Sequence, residues 1–393
     1  MKLNKKVLAG LVALAAASTS AQAVTVAAND GWELGVSGLV NQFITYTNNN
    51  NNGGLSTDQA SLQDGLLPAF LNFDMKAPTM NGLDIAAHIS FSPSTSRNSY
   101  AGFEQREVYF TVDGSFGQIL AGKALGLYAS HNILTDQTLW GVGYGTGAGD
   151  GTTTLGGIGL GYDYASWRSQ VKWTSNDMNG FKIALAIMDP AVGVVGKLAG
   201  DNPTGSLTTG GTSSDNYRYE ADLSYTGAFD GGSYLLWLSG MTQSEDNANN
   251  NDTQAWTVGG TLAVAGFELM AQYSDSENKD AAIAAAAAVA AVPGNAGTAA
   301  VVAAPAKKTE WSQYLVQAGY RFGGTTLVSA QYAQLTDDSV TTLVNDSIDK
   351  WTVGVYHDVN SNLKLVAEYS KIEDDNKNLV DQDIFALGGF VFF

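Results

Sequence analysis

The chain has 393 residues, a net charge of −18 and no cysteine. The lack of cysteine excludes disulfides, thiol catalysis and metal or iron–sulfur centres held by cysteine. The acidic charge argues against a nucleic-acid partner, because binding to phosphates needs a basic surface.

The first 23 residues predict a signal peptide that is cleaved during export. Three lysines precede an apolar run at 7–17, and the small-residue sequence A-Q-A follows at 21–23. This three-part plan is typical of a secretory signal. A transmembrane anchor, the alternative, needs about 20 apolar residues to cross a bilayer as a helix, and this run is shorter. The mature chain is predicted to be residues 24–393, a single domain.

Segments in which apolar and polar residues alternate recur along the mature chain. In LNFDMKA, residues 71–77, and in LKLVAEYSK, residues 363–371, every second side chain is apolar. A period of two over about ten residues is typical of a strand between lipid and a polar interior. The exported chain is therefore either a secreted all-β protein or a closed membrane barrel, the one β structure that can span a bilayer.

The connections between these segments alternate in length. Short turns such as APTMNG and DVNSN alternate with long polar loops such as NNNNNNGGLSTDQASLQDG. This favours a transmembrane antiparallel β-barrel with short periplasmic turns and long extracellular loops. The pattern predicts sixteen strands, which leave a water-filled lumen. Their predicted ranges are 32–46, 66–76, 83–92, 103–113, 116–124, 165–175, 180–189, 216–227, 232–243, 254–264, 267–276, 310–322, 325–336, 350–358, 363–372 and 382–393.

One predicted extracellular loop, at 277–309, contains an alanine-rich apolar run. Pro293 and Gly294 interrupt the run near its middle. A transmembrane helix at this place would invert the topology of every later strand. We therefore predict a loop insertion.

The sequence carries no recognisable catalytic or cofactor motif. His88, His131 and His357 are far apart and lack the spacing of metal ligands. The glycine-rich run at 141–161 contains no full G-x-G-x-x-G and precedes no helical pattern, which argues against a phosphate site. An outer-membrane lipase or protease would also need a nucleophile with a base beside it. We predict that the protein is not an enzyme and uses no cofactor.

The chain ends in DQDIFALGGFVFF, with apolar residues at alternate positions and no polar tail. The series consists of Phe385, Leu387, Val391 and Phe393. A terminal phenylalanine preceded by such a series resembles the assembly signal of bacterial outer-membrane barrels. The resemblance implies that the barrel-assembly machinery is a partner.

Two further stretches resemble the general Gram-negative porins, trimeric barrels of sixteen strands. REVYFTVDGSFGQILAGKALGLY, residues 106–128, resembles the porin segment that contains G-x-F-G before the third loop, and SQVKWTSNDMNGFKIALAI, residues 169–187, resembles the next hairpin. As architecture the resemblance covers the whole mature chain; as motif it covers these stretches and the terminus. It implies an outer-membrane location, a homotrimer, and contact with membrane lipid and lipopolysaccharide.

The resemblance also implies a constriction, because the third loop of these porins folds into the lumen. The loop is predicted here at 125–164. Its acidic residues would face basic residues on the opposite wall. The candidates are Asp136 and Asp150 on the loop, and Arg106, Lys123, Arg168 and Lys172 on the wall. Arg168 and Lys172 have the lumen-facing parity of their strand, whereas Arg106 has the parity of Val108 and rests on the resemblance alone.

Passive passage of small hydrophilic solutes and ions is the function that this resemblance implies. The chain has 38 acidic and 20 basic residues, which predicts negative pore mouths and a preference for cations. A channel specific for sugars or organic acids is the alternative. In that case Tyr128, Trp140 and Tyr144 of the third loop would begin a file of aromatic contacts.

Overall fold

A computed structural model describes residues 24–50, 57–96, 105–145, 153–190, 216–244, 252–279, 308–337, 346–374 and 381–393. The predicted signal peptide, Asp150 and nearly all of the predicted alanine-rich loop lie outside the described residues.

The described residues form eighteen strands in one antiparallel sheet. Most of them show the alternation of apolar and polar residues from which strands were predicted. The strands are β1 (Val24–Asn29), β2 (Trp32–Asn50), β3 (Thr57–Gln63), β4 (Phe70–Lys76), β5 (Asp84–Phe91), β6 (Val108–Gly114), β7 (Gly117–Leu125), β8 (Trp167–Thr174), β9 (Phe181–Met188), β10 (Arg218–Phe229), β11 (Gly232–Gln243), β12 (Asp252–Val264), β13 (Phe267–Lys279), β14 (Lys308–Phe322), β15 (Thr326–Asp337), β16 (Asp346–Asn360), β17 (Leu363–Asp374) and β18 (Asp381–Phe392).

The sheet closes into a barrel because β18 pairs with β2 along its length. Strand β3 pairs with the extracellular half of β2 and β4 with its periplasmic half, so the two share one position in the barrel wall. Strand β1 pairs with the start of β2, beyond the end of β18. The barrel therefore has sixteen strand positions, and the sequence prediction of sixteen strands is confirmed.

The two faces of the wall differ as the alternation requires. On β18, Phe385 and Leu387 are 54% and 60% exposed, whereas Ile384 and Phe390 are each 1% exposed. Successive side chains of a strand point to opposite sides of the sheet. The exposed apolar side chains therefore form the outer, lipid-facing surface, and the buried ones face the lumen.

The third loop, between β7 and β8, folds into the lumen, as predicted. It contains a short helix, α1 (Ser130–Thr135), and a 3-10 helix (Gln137–Trp140). No helix within the described ranges is long and apolar enough to cross a membrane. Buried loop side chains such as Leu139 and Leu160 pack with wall residues such as Trp311 and Leu315 in one cluster. The loop is therefore packed against the inner wall.

Candidate functional site

Glu220 of β10 fixes the start of the third loop. One oxygen of Glu220, Oε2, accepts hydrogen bonds from the backbone N–H groups of Leu127 and Tyr128, at 2.6 and 2.8 Å. The other, Oε1, accepts from Nε of Arg218 at 2.6 Å, and both side chains are fully buried. Glu220, paired with Arg218 in the barrel wall, thus accepts from two backbone N–H groups of the loop just before α1.

The returning end of the loop is held by Asp163, which is completely buried. Its carboxylate accepts four side-chain hydrogen bonds, from Tyr128, Ser276, Trp311 and Gln313, over 2.5–2.8 Å. Burial raises the pKa of the Asp163 carboxyl group, and these donors oppose the rise. Three of the donors belong to β13 and β14, so Asp163 ties the loop to the far wall.

Asp136 separates α1 from the 3-10 helix and is 2% exposed. Its carboxylate accepts from Thr138 N–H at 2.9 Å and, over 2.6 Å each, from the Thr138 and Tyr162 hydroxyl groups and the Gln331 amide. Burial and the neighbouring Asp136 raise the pKa of Tyr162. Asp136 therefore bonds the loop to β15, and its role in the constriction stays a prediction.

Two charged wall residues, Lys350 and Glu368, bond the middle of the loop. The Lys350 ammonium group, fully buried on β16, donates to the Gly156 carbonyl at 2.6 Å. Glu368 of β17 accepts from the N–H groups of Val142 and Gly143, at 2.6 and 3.0 Å. Buried charges are costly unless they are bonded, and here the loop backbone supplies the bonds.

These contacts attach the loop to the wall from β10 to β17 and leave a cavity of about 1230 Å³ on its periplasmic side. Its upper boundary includes α1 and the 3-10 helix, and its walls are the inner faces of strands including β9 to β17. Charged side chains border it with an excess of acid. They are Asp136, Asp177, Asp222, Glu268 and Asp358, against Lys182, Arg321 and Lys364.

Several of these charges are paired across neighbouring strands. Nε of Arg321 lies 2.5 Å from Oε1 of Glu268, and Nη1 of Arg321 lies 3.8 Å from Oδ2 of Asp358. Lys364 also pairs with Asp358. On the opposite side, Nε2 of His131 on α1 lies 3.3 Å from Oδ1 of Asp222. The cavity is thus bordered by fixed charges of both signs.

Arg168 and Lys172, two of the predicted wall residues, lie on the inner face of β8. They share the parity of the buried Gln170, whereas Val171 is exposed on the outer face. Lys172 lies within electrostatic range of Glu107 and Glu220, and Arg168 of Glu220. The structure therefore brings these two bases near wall acids and the root of the loop. Their role in the constriction stays a prediction.

Lys123 and Arg106, the other two predicted wall residues, lie on β7 and just before β6. Lys123 pairs with Val108 and Ser169, which are exposed on the outer face, and its ammonium group donates to the Gln105 carbonyl at 2.7 Å. This register does not bring Lys123 to the loop. Arg106 precedes β6, is 7% exposed and lies within electrostatic range of Asp64. Because it precedes the strand, strand parity does not turn it to lipid. Asp150 lies outside the described residues.

The C-terminal series lies on the outer surface, with Phe385, Leu387, Val391 and Phe393 all exposed. Two backbone hydrogen bonds hold the last residue to β2. The Phe393 N–H donates to the Gly38 carbonyl at 3.0 Å, and the Gly38 N–H donates to the Phe393 carbonyl at 2.7 Å. A Cβ atom on Gly38 would lie 2.6 Å from the Phe393 ring, so only glycine leaves room for the ring. Recognition of this series by assembly machinery stays a prediction.

The loop anchors Glu220, Asp163, Lys350 and Glu368 were not predicted. Their partners are distant in sequence; Asp163, for example, bonds Trp311. The one available signal was an acidic or basic residue at a lumen-facing position of a strand, which applies to Glu220, Lys350 and Glu368. That signal does not reveal which loop atoms the side chain meets.

A closed barrel with an apolar outer face, charged groups on its inner face and a loop folded into the lumen defines a membrane channel. The family model described as "Gram-negative porin" matches residues 10–377. The chain therefore belongs to the Gram-negative porin family and is a diffusion channel of the outer membrane.

Solved porin structures share this fold. The outer membrane channel DcaP of Acinetobacter baumannii has a TM-score of 0.63 at 10% identity, covering 94% of this chain and 100% of its own. The anion-selective porin from Comamonas acidovorans has a TM-score of 0.62 at 14% identity, with 92% and 100% covered. OmpF of Salmonella typhi in complex with daunomycin has a TM-score of 0.59 at 13% identity, with 95% and 100% covered. A comparison with curated proteins gives no match.

Proposed function

We propose that the protein is a general diffusion porin that passes small hydrophilic solutes and ions and prefers cations. The observation that carries the proposal is the cavity under the third loop, where five acidic side chains stand against three basic ones. A pore selects ions through its width and the charges that line it. An excess of one sign concentrates counter-ions there.

The rest of the cavity lining supports passage without specific binding. Small hydroxyl side chains from several strands border it, which suits water and many polar solutes. They include Thr174, Ser224, Thr226, Ser233 and Ser329. Hydroxyl groups both donate and accept hydrogen bonds, so they replace solute hydration without selecting one solute.

The aromatic residues of the loop argue against a sugar-specific channel. Tyr128 and Tyr144 are 0% and 7% exposed and belong to the cluster that packs the loop against the wall. Of the three predicted aromatic contacts, Trp140 alone borders the cavity. The wall residues Tyr356 and Phe392 border it as well, but the Phe392 ring packs against Trp140 and the Tyr356 hydroxyl donates to Glu368. These rings are engaged in packing and bonding within the wall, and they do not form a row of stacking surfaces along the pore. The geometry therefore favours the general pore.

The proposal includes export with cleavage after Ala23 and assembly as a homotrimer. The outer face of β2 exposes Val40 and Ile44, which suit contact with a second copy as well as with lipid. Membrane lipid and lipopolysaccharide would surround the remaining outer surface.

Single-channel recording of the purified protein in planar bilayers under a KCl gradient tests this proposal. We expect conductance steps in groups of three and a reversal potential that favours cations. Asp222→Asn removes a charge that borders the cavity, so it should lower the cation preference. Asp349→Asn is the control. It also removes one negative charge, but from the outer face, where Asp349 accepts from the Tyr332 hydroxyl, and it should leave the cation preference unchanged. Absent steps, or a reversal potential that favours anions, would contradict the proposal.

A further inference from the structure

The 3-10 helix of the third loop ends at Trp140, whose indole ring contacts the inner face of the last strand. Its centroid lies 5.6 Å from that of Phe390 and 5.8 Å from that of Phe392, both in edge-to-face geometry. The two phenylalanine rings stack on each other at 5.9 Å, and Phe43 of β2 meets Phe390 at 5.7 Å. Edge-to-face and offset-stacked pairs at these distances are favourable.

Contacts on both sides of Trp140 reinforce this attachment. The carbonyl of Gly141, the next residue, accepts from the backbone N–H of Leu66 at 2.9 Å. The Lys364 ammonium group lies 5.7 Å from the Trp140 ring centroid, within cation–π range. Because Lys364 belongs to β17 and Leu66 precedes β4, the end of the 3-10 helix rests across the seam where the barrel closes.

The two faces of β18 therefore meet different partners. The outer face carries the exposed Phe385, Leu387 and Val391, and the inner face carries Phe390 and Phe392, which contact the loop. The polar anchors of the loop lie on other strands, β10 and β12 to β17. The aromatic cluster is thus the loop's attachment to the closing strand.

We propose that the inner face of β18 is the seat of the third loop and that Trp140 is the positioning residue that sets how far the loop closes the lumen. This inference rests on the proposed function in that the lumen is the solute path. Gln137 and Trp140, the two ends of the 3-10 helix, border the cavity. If the contacts between Trp140 and β18 are lost, that edge of the loop is free to move and the solute path through the lumen widens.

The same geometry links the constriction to barrel closure. Phe390 and Phe392 belong to β18, which closes the barrel by pairing with β2. The seat is therefore complete only after the last strand is in place. The loop takes its final position in a closed barrel and not before.

Conductance of three single variants tests the seat. Trp140→Leu and Phe390→Leu each remove one side of the ring contact and keep an apolar side chain. Phe390 is 1% exposed and does not border the cavity, so Phe390→Leu changes the pore only by moving the loop. Both variants should raise single-channel conductance. Trp351→Leu, on the outer face of β16, removes a ring that packs on Tyr332 away from the loop; it is the matched control and should leave conductance unchanged.

The rate at which a buried thiol in the loop is labelled gives a second measurement, which does not depend on conductance. The chain has no cysteine, so Val142→Cys introduces a single thiol at a fully buried loop position. Maleimide should label it slowly in the folded, detergent-solubilised protein. Adding Trp140→Leu should speed labelling roughly tenfold, the factor expected for losing two aromatic pairs.

The outcomes separate this inference from the proposed function. If wild-type protein conducts, but Trp140→Leu and Phe390→Leu change neither conductance nor labelling, the seat is refuted and the porin stands. If wild-type protein does not conduct, but Trp140→Leu speeds labelling, the seat stands and the diffusion pore is refuted. Circular dichroism of each variant confirms that the barrel has folded before either readout is interpreted.

Discussion

At the scale of single residues, Asp163 carries the densest set of bonds between the third loop and the wall. Removing one partner from a buried charged network leaves the others unpaired in a medium where they cannot reach water. Asp163→Ala would leave four buried donors without an acceptor, among them the Trp311 indole N–H and the Gln313 amide. Each buried donor left without an acceptor costs about 1–3 kcal/mol, so we expect a loss of about 3–5 kcal/mol in the free energy of unfolding, measured by denaturant titration in lipid vesicles.

Asp349→Ala is the matched control for this prediction. Asp349 also accepts two side-chain hydrogen bonds, from Tyr332 and Gln334, but on the outer face of the barrel rather than in the lumen. Its loss should cost about 1 kcal/mol or less, as expected for exposed polar contacts. Equal losses for the two variants would show that Asp163 does not anchor the loop.

The sequence predicts which face of the wall a residue occupies where strand parity determines that face. It does not predict contacts between residues that are far apart in the chain. The alternation along β8 places Arg168 and Lys172 on the inner face, where the structure has them. Lys123 was assigned through a resemblance of motif, and its register with Val108 turns it outward. The bond from Asp163 to Trp311 joins residues far apart in the chain, and no local pattern encodes such a contact.

At the scale of elements, the wall is interrupted between β3 and β4, and the loop uses the gap. Over residues 64–69 the chain leaves the sheet, and its backbone bonds the loop: Leu66 N–H donates to the Gly141 carbonyl and the Gly65 carbonyl accepts from Thr154 N–H. A strand position with unpaired backbone groups would be costly inside a membrane. Here the loop supplies the missing partners.

The close approach at this gap predicts the effect of a single methyl group. A Cβ atom on Gly65 would lie 2.2 Å from the Gly141 carbonyl oxygen, so one backbone must move. Gly65→Ala should shift the loop and change single-channel conductance, which bilayer recording would detect. Gly240→Ala, on the outer face, meets its nearest atom only at 3.3 Å and should leave conductance unchanged. An unaltered conductance in Gly65→Ala would contradict this account of the gap.

Prediction of elements succeeded for the strands that alternate and failed for those that do not. All sixteen predicted ranges overlap observed strands, because a period of two is a local property of the sequence. Strand β3, TDQASLQ, is mostly polar and lies at the extracellular end of the wall, and it was missed. The short strand β1 was missed as well, since it continues beyond the end of β18 through pairing with β2. Helix α1 depends on its packing inside the barrel rather than on an apolar stripe.

At the scale of the whole molecule, the acidic excess acts as a field rather than through any one residue. The chain has a net charge of −18, and acidic side chains also outnumber basic ones at the border of the cavity. Several of the cavity charges are paired, as Arg321 is with Glu268, so ions in the lumen experience the unbalanced remainder. A field of this kind weakens when mobile ions screen it.

Screening therefore predicts how selectivity depends on salt. The Debye length is about 10 Å in 0.1 M salt and about 3 Å in 1 M salt, so the wall charges reach across a narrow lumen only in dilute salt. The cation-to-anion permeability ratio, taken from reversal potentials under KCl gradients, should fall as the mean concentration rises between these values. Asp222→Asn should lower the ratio in dilute salt and have little effect in concentrated salt, while Asp349→Asn should follow the wild type throughout. A ratio that stays constant across this range would mean that short-range contacts in the constriction, and not the acidic field, select the ions.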